Sequence, residues 1–255
     1  MYTFKDVKKD PFRKMKYIPT SAMRYDGFLL EDILEGYTTL KVEGREMTSI
    51  VLESTEAQIG AIITNQRLPA RIITVTYKLQ NKNALELQRD FKELMFRLYR
   101  DEDVAISFED EPTTTYYGRF ETADTVEGSS NNIISTFTLF CSDPYKYGAE
   151  NITIGAINHH LHYPVTPITV TAKMTKTSTL SIVNGSQTLK ITSETLAVND
   201  VVLFDFKNGK VFVNNVDRTN LLDLDSDFSN FQLKTGDRVT SDVATLSIVY
   251  RSVEL

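Results

Sequence analysis

All three histidines of the chain lie in one short segment, Asn158-His159-His160-Leu161-His162. Neutral imidazole binds zinc, copper or nickel, so this segment is the first candidate for a metal site. In an extended chain, neighbouring side chains point to opposite faces, which pairs His160 with His162 and separates both from His159. The sequence offers that pair no obvious further ligand. We therefore favour a linker or interface role for the segment and predict no metal.

Carboxylates that could serve acid–base catalysis or bind calcium occur in three places: Arg100-Asp101-Glu102-Asp103, Glu109-Asp110-Glu111, and the alternating Asp223, Asp225 and Asp227. Glycosidases use two carboxylates at a defined separation, but neither cluster has an evident nucleophile or histidine partner. A calcium loop of the EF-hand type requires Gly at its sixth position and Glu at its twelfth, where this chain has Phe228 and Lys234. P-loop, G-x-S-x-G and Rossmann fingerprints are absent from the sequence. We predict a protein that is not an enzyme, with no catalytic residue and no cofactor.

Aromatic side chains of the second half could stack on a sugar. Phe204 and Phe206 would share one face of a strand, as core residues do, and the chain contains no Trp. Packing in a core is therefore the favoured interpretation.

Length and charge restrict the remaining classes. A chain of 255 residues favours two domains, and a net charge of -6 argues against a duplex-DNA-binding protein. Cys141 is the only cysteine, so the chain forms no internal disulfide. The segment Met1–Asp6 lacks a secretory apolar run and no later run is long enough to span a bilayer, so we expect synthesis in the cytosol without membrane anchoring.

The first half is expected to combine strands with one helix over residues 83–100. Asn83 followed by Glu86 is a capping-box pattern, and apolar residues then recur at helical spacing. A long β-hairpin is predicted over residues 116–141, with a polar tip at Glu127–Asn132. The segment Thr55 to Pro69 is predicted as either an extended arm or a loop.

The second half is predicted to be nearly all β, since short β-branched runs alternate with turn signals such as Asn184-Gly185 and Asn208-Gly209. This pattern favours a sandwich or a jelly roll. The stretch Cys141–Gly148 separates the halves because Asp143-Pro144 interrupts regular structure. We predict domains at residues 1–148 and 149–255.

Taken in order, these segments resemble the distal tail protein family of siphophages, also called the siphovirus tail component family. The resemblance is carried by the predicted helix and a series of short motifs: Val104–Phe108, Glu109-Asp110-Glu111-Pro112, Tyr116–Phe120, Ile133–Cys141, Asp143–Gly148, Tyr163–Ile168, Asn208–Val211 and Phe231–Asp237. Each motif is weak alone, but the ordered set is fairly specific and covers both halves. The part before Leu40 matches least clearly.

The resemblance implies a mainly β protein. Its amino-terminal domain would be a tail-tube-like β-sandwich with one flanking α-helix, and its carboxy-terminal domain a galectin-like or carbohydrate-module-like β-sandwich. It also implies a structural hub of the tail tip or baseplate: a homohexameric ring that joins the tail tube to the host-recognition apparatus and leaves a central channel for DNA. The protein would then be assembled in the host bacterial cytoplasm and reside in the virion.

Implied partners are further copies of the chain, tail-tube proteins, a tail-associated lysin or fibre hub, and receptor-binding or baseplate proteins, with DNA only in passage. Candidates for the ring interface or channel lie in the predicted hairpin: Tyr116, Tyr117, Arg119, Ile133, Ser135 and Phe137. Two alternatives stay open, namely a carbohydrate-binding adhesin module and a ring protein of the tail-tube type.

Overall fold

The structure is a computed structural model that describes residues 17–126 and 131–255. The amino-terminal segment Met1–Asp6 and residues 127–130 of the predicted hairpin tip lie outside the described residues. The chain forms two compact units. The first comprises the described residues up to Pro112 together with Tyr117–Asp143, and the second comprises Thr113–Tyr116 together with Pro144–Leu255.

The change of unit after Asp143 comes earlier than the predicted division at residue 148. The reason is that the strand Lys146–Thr153 already pairs with the last strand of the chain, through Lys146↔Glu254 and Tyr147↔Val253.

The first unit contains the following elements in chain order: β1 Met23–Tyr25, β2 Phe28–Leu29, α1 Leu30–Ile33, β3 Tyr37–Glu43, β4 Val51–Glu56, β5 Ala61–Arg67, β6 Arg71–Gln80, α2 Ala84–Leu98, β7 Val104–Phe108, β8 Glu111–Ala123 and β9 Asn132–Cys141. Within β8, residues Thr113–Tyr116 belong to the second unit. Strands β3, β6, β9 and β8 pair in that order, and every pair is antiparallel. The mainly β prediction is confirmed.

Strand β6 shows how this sheet acquires two different faces. Ile73, Val75, Tyr77 and Leu79 are buried, whereas the residues between them are partly or fully exposed. Side chains alternate along a strand, so the apolar set lies on the core side and the polar set lies on the outer side.

Helix α2 covers the core side of this sheet. Asn83 caps it by accepting a hydrogen bond from the Glu86 N–H at 2.9 Å, and Leu87, Leu94 and Leu98 are buried. The helix contacts β6, as its apolar stripe predicts. It ends at Leu98 rather than at residue 100, since Tyr99 has extended backbone angles.

The carboxyl end of α2 is held by a buried tyrosine. The Tyr25 hydroxyl donates to the Leu98 carbonyl at 2.9 Å and accepts from the Phe120 N–H at 3.2 Å. Tyr25 thereby satisfies one of the carbonyls that every helix leaves unpaired at its end. Burial raises the pKa of Tyr25, so the hydroxyl keeps its proton.

The second unit contains these elements: β10 Lys146–Thr153, β11 Thr169–Met174, β12 Ser178–Asn184, β13 Gln187–Leu196, β14 Val201–Asp205, β15 Lys210–Val213, β16 Val216–Asp217, the 3₁₀ turns Thr219–Leu221 and Phe228–Asn230, β17 Val239–Thr240 and β18 Ala244–Glu254. One sheet has the order β16-β15-β14-β11-β18-β10, and the other has the order β13-β12-β17. Both sheets contribute side chains to one core, for example Val170 and Ile248 from the first and Ile182 and Ile191 from the second. The unit is therefore a two-sheet sandwich.

We predict that Tyr25→Phe lowers the free energy of unfolding by about 1–3 kcal/mol, because the Leu98 carbonyl and the Phe120 N–H both lose a buried partner. Urea denaturation of the full chain measures the effect. Tyr99→Phe is the matched control, since Tyr99 is 67% exposed. Equal stability of the two variants would contradict the role assigned to the Tyr25 hydroxyl.

Candidate assembly surface

Strands β4 and β5 form a two-stranded sheet of their own. Their pairing runs from Val51↔Arg67 to Glu56↔Ala61, and every residue of the two strands except Val51 is exposed. We call the segment 51–67 the ribbon. Of the two interpretations left open by the sequence for Thr55 to Pro69, the extended arm is confirmed.

The ribbon carries apolar side chains on both faces. Leu52 is 52% exposed, Ile62 63% and Ile63 58%, while Ile59 at the tip is 95% exposed. Ile62 and Ile63 are adjacent in one strand, so they point to opposite sides. An isolated two-stranded hairpin is marginally stable in water and needs packing against another surface. The ribbon therefore has the character of a segment that a partner covers.

The ribbon is preceded by a turn at Gly44 and Arg45, which we call its base. This turn is held against the first residues of β6. Gly44 has φ +89, and a Cβ built on it would lie 2.0 Å from the Ile72 carbonyl oxygen, so only glycine fits this turn. The buried Arg71 donates through Nη1 to the carbonyls of Gly44 at 2.9 Å and Arg45 at 3.2 Å.

A second anchor joins the base of the ribbon to the turn between β7 and β8. Arg45 binds both carboxylate oxygens of Asp110, at 2.7 and 2.9 Å, and its guanidinium lies 4.5 Å from the centre of the Phe108 ring. Hydrogen bonding from Arg45 lowers the pKa of Asp110, although partial burial acts in the opposite direction. Such a fork-to-fork pair restricts orientation as well as distance.

The acidic clusters singled out in the sequence are engaged in structural pairs of this kind. Glu109 pairs with Arg24 at 2.8 Å, in addition to the pair between Asp110 and Arg45. Asp103 accepts from Arg119 at 2.6 Å and from the Ser142 hydroxyl at 2.7 Å. These carboxylates fix turns and strand ends.

The loop with Asp223, Asp225 and Asp227 covers the edge of β13. Asp223 accepts from the Thr192 N–H at 3.1 Å, Asp227 accepts from the Thr188 N–H at 2.7 Å, and Asp225 pairs with Lys190 at 2.8 Å. A covered edge is protected from pairing with other chains.

Four phenylalanines of the second unit belong to its core or pack against it. Phe204 and Phe231 are fully buried, and Phe206 stacks on Phe228 with ring centres 4.6 Å apart. The preference for core packing over sugar stacking is confirmed for these residues.

The outer face of the β3–β6–β9–β8 sheet is rich in threonine. Thr74 lies opposite Thr138 and Thr76 opposite Thr136, and the hydroxyl oxygens of Thr122 and Thr138 are 2.8 Å apart. We call this surface the threonine face.

Carboxylates border the threonine face. The Thr138 hydroxyl donates to Glu121 at 3.2 Å, and the Thr136 hydroxyl donates to Asp124. On β3, Glu43 pairs with Lys41 at 2.6 Å. The middle of this surface thus consists of short hydroxyl side chains with carboxylates at its border. Towards its two ends lie the pairs Ile72↔Phe140 and Lys78↔Ile134.

The predicted interface residues of β8 occupy different surroundings. Tyr116 is fully buried and belongs to the second unit. Tyr117 is partly exposed. Arg119 is paired with Asp103 and donates to the Asp101 carbonyl, so it holds the connection between α2 and β7.

The predicted residues of β9 lie on its inward side. Ile133, Ser135 and Phe137 are 8%, 7% and 1% exposed, because the strand alternates and these positions face the core. The outward positions are Ile134, Thr136 and Thr138, of which Ile134 is 64% exposed. A direct role for the inward three in subunit contact stays a prediction, and the accessible surface of β9 is on its other face.

Comparison with known proteins explains this combination of units. The family model for a phage tail protein RIFT-related domain matches residues 30–140. The model for the carboxy-terminal domain of the siphovirus-type tail component matches residues 162–253. The distal tail protein of Bacillus phage SPP1 is 37% identical over 135 residues, which are 52% of each protein. The chain belongs to the siphophage distal tail protein family. The aligned stretch spans about half the length of that curated relative.

Solved structures of this family and of phage baseplates share the fold. The SPP1 distal tail protein, described as a paradigm of the hub adsorption apparatus in phages that infect Gram-positive bacteria, is 27% identical with a TM-score of 0.78. That match covers 92% of this chain and 99% of the other. A chain of the phage P2 baseplate in its activated conformation with Ca has a TM-score of 0.57, covers 85% of this chain and 90% of the other, and is 6% identical. At that identity the likeness is one of fold.

No helix within 17–126 or 131–255 is long and apolar enough to cross a membrane. In the same ranges, His, Cys, Asp and Glu side chains form no group of three or more that could hold a metal ion.

We predict that Asp110→Asn destabilises the protein at pH 7 and has a smaller effect at pH 3. Folding lowers the pKa of Asp110. The stabilising contribution of Asp110 is therefore complete above the ordinary Asp pKa of about 3.9, and it is lost as the pH falls through the lower pKa of the folded state. Urea denaturation of both proteins across this range measures the difference. An equal loss of stability at both pH values would contradict the ion pair with Arg45.

Proposed function

We propose that this protein is the structural hub of a siphophage tail tip, where six copies form a ring around a channel for DNA. The main support for this proposal is the exposed apolar surface of the ribbon. Its backbone is paired internally, but its apolar side chains are exposed on both faces. Exposed apolar surface of this kind marks a protein–protein contact. Membership of the distal tail protein family makes another copy of the chain the fitting partner.

A ring requires two different surfaces on each copy. Contacts that join unlike patches head to tail close into a ring when the rotation permits it. The ribbon is one such patch. A second lies near α2, where Phe28, Met95, Phe96 and Tyr99 are 49%, 43%, 68% and 67% exposed. Arg97 lies near the rings of Phe28 and Phe96, with 5.7 and 5.8 Å to the ring centres. We call these residues the aromatic patch, and we propose that it receives the ribbon of the neighbouring copy.

The threonine face fits the lining of a channel for DNA. Its hydroxyl side chains are short and uncharged, and Glu121 and Asp124 border it with negative charge. Like charges repel phosphate, so DNA would pass without being retained. The protein's net charge of -6 agrees with this role.

In this proposal the second unit is an attachment module and not a part of the ring contact. Its residues Phe204, Phe206, Phe228 and Phe231 are used for packing. We propose that it binds receptor-binding or baseplate proteins, while the first unit contacts the tail tube and a tail-associated lysin or fibre hub. The protein would then be a component of the virion tail tip after assembly in the bacterial cytoplasm.

Native mass spectrometry of the purified full chain tests the ring. We expect a species of six times the 29.0 kDa mass of the chain, with a population that rises with protein concentration. Ile62→Asp places a charge on the ribbon and should shift the population strongly towards monomer, because burying an unpaired carboxylate costs several kcal/mol.

Leu224→Asp is the matched control. Leu224 is fully exposed in the second unit, outside both proposed contact surfaces, so its replacement should leave the six-fold species unchanged. Circular dichroism verifies that both variants are folded. A wild-type chain that stays monomeric at its highest soluble concentration, or an Ile62→Asp variant that assembles like the wild type, would overturn the proposal.

A further inference from the structure

The segment that carries all three histidines is held in place at one residue. Leu161 is 7% exposed, and its N–H donates to the Thr235 hydroxyl oxygen at 2.7 Å. The same hydroxyl donates to the Leu161 carbonyl at 3.3 Å. Both backbone groups of Leu161 are therefore satisfied by one side chain, and its own side chain is buried. This attachment fixes the backbone of Leu161, the residue between His160 and His162.

His160 and His162 flank Leu161 and lie together on its exposed side. Both histidines are exposed, and the centres of their rings are 4.6 Å apart at an interplanar angle of 83°. A ring centre lies about 3.2 Å from an ion bound to one of its nitrogens, so two rings that share a tetrahedral ion have centres about 5 Å apart. The observed separation of 4.6 Å is close to that value.

Contrary to the expectation of no metal from the sequence alone, we propose that His160 and His162 form a two-histidine site for a divalent transition metal ion of the zinc, nickel or copper type. Imidazole nitrogen suits these ions, whereas calcium and magnesium prefer oxygen. The described residues add no third His, Cys, Asp or Glu ligand. The ion would therefore keep open positions, which water occupies in the free protein and which a donor from a docked protein could fill.

The rest of the chain offers few competing sites for such an ion. The chain has three histidines, and the ring contact in this segment is between His160 and His162, while His159 is a separate exposed residue at a bend. Cys141 is fully buried, and burial raises the pKa of its thiol to about 12, so it remains protonated and does not bind metal. Binding of this class of ion thus reports on the His160–His162 pair.

Isothermal titration calorimetry of ZnCl₂ into the full chain tests the site. We expect saturable binding of one ion per chain, and its loss in His160→Gln and in His162→Gln. His159→Gln is the matched control and should bind like the wild type, because it removes an imidazole of the same segment but not of the pair.

Thr235→Val tests whether the attachment of Leu161 preorganises the pair. Valine keeps the branched shape but removes the hydroxyl, so zinc affinity should fall by about tenfold, as losses of supporting hydrogen bonds around metal ligands do. Circular dichroism shows whether this variant is folded. Absence of saturable binding by the wild type, or an equal loss in His159→Gln and His162→Gln, would overturn the proposal.

Discussion

A two-stranded ribbon cannot bury both of its own faces, so the apolar side chains of the ribbon in the first unit need another surface to cover them. The ribbon pairs only with itself among the described strands, and it exposes Ile62 and Ile63 on opposite sides. Its base, in contrast, is fixed firmly. Arg71 holds the carbonyls of Gly44 and Arg45, and Arg45 is held in turn by Asp110. A firmly attached segment with exposed apolar side chains is the arrangement expected of a surface that another protein covers on assembly.

The same unit separates two kinds of surface by strand alternation. One face of the β3–β6–β9–β8 sheet buries apolar residues under α2, and the other is the threonine face with carboxylates at its border. Ion pairs engage the acidic residues Asp103 and Asp110, which sequence alone could have assigned to catalysis. The polar face, the apolar ribbon and the paired acids together support an assembly protein better than an enzyme.

Local patterns predicted much of the fold. The cap at Asn83 and the spacing of leucines identified α2, and β-branched runs between turns identified the second unit as β-rich. The ribbon was left open between an arm and a loop, because a segment exposed on both faces lacks the period-two pattern that marks a half-buried strand. Alternation in β9 was evident, but sequence alone does not state which set faces inward, and Ile133, Ser135 and Phe137 proved to be the inward set. The Arg45–Asp110 pair joins residues far apart in the chain and has no local signal.

Photo-crosslinking from the ribbon tip identifies the surface that covers the ribbon when the protein assembles. A photoreactive amino acid replaces Ile59, which is 95% exposed, in a mixture of ¹⁴N- and ¹⁵N-labelled chains under conditions in which the protein assembles. We expect mixed-isotope crosslinks that join the ribbon to the first unit of a neighbouring copy, around the aromatic patch. Crosslinks confined to single chains, or to the second unit of another copy, would contradict it.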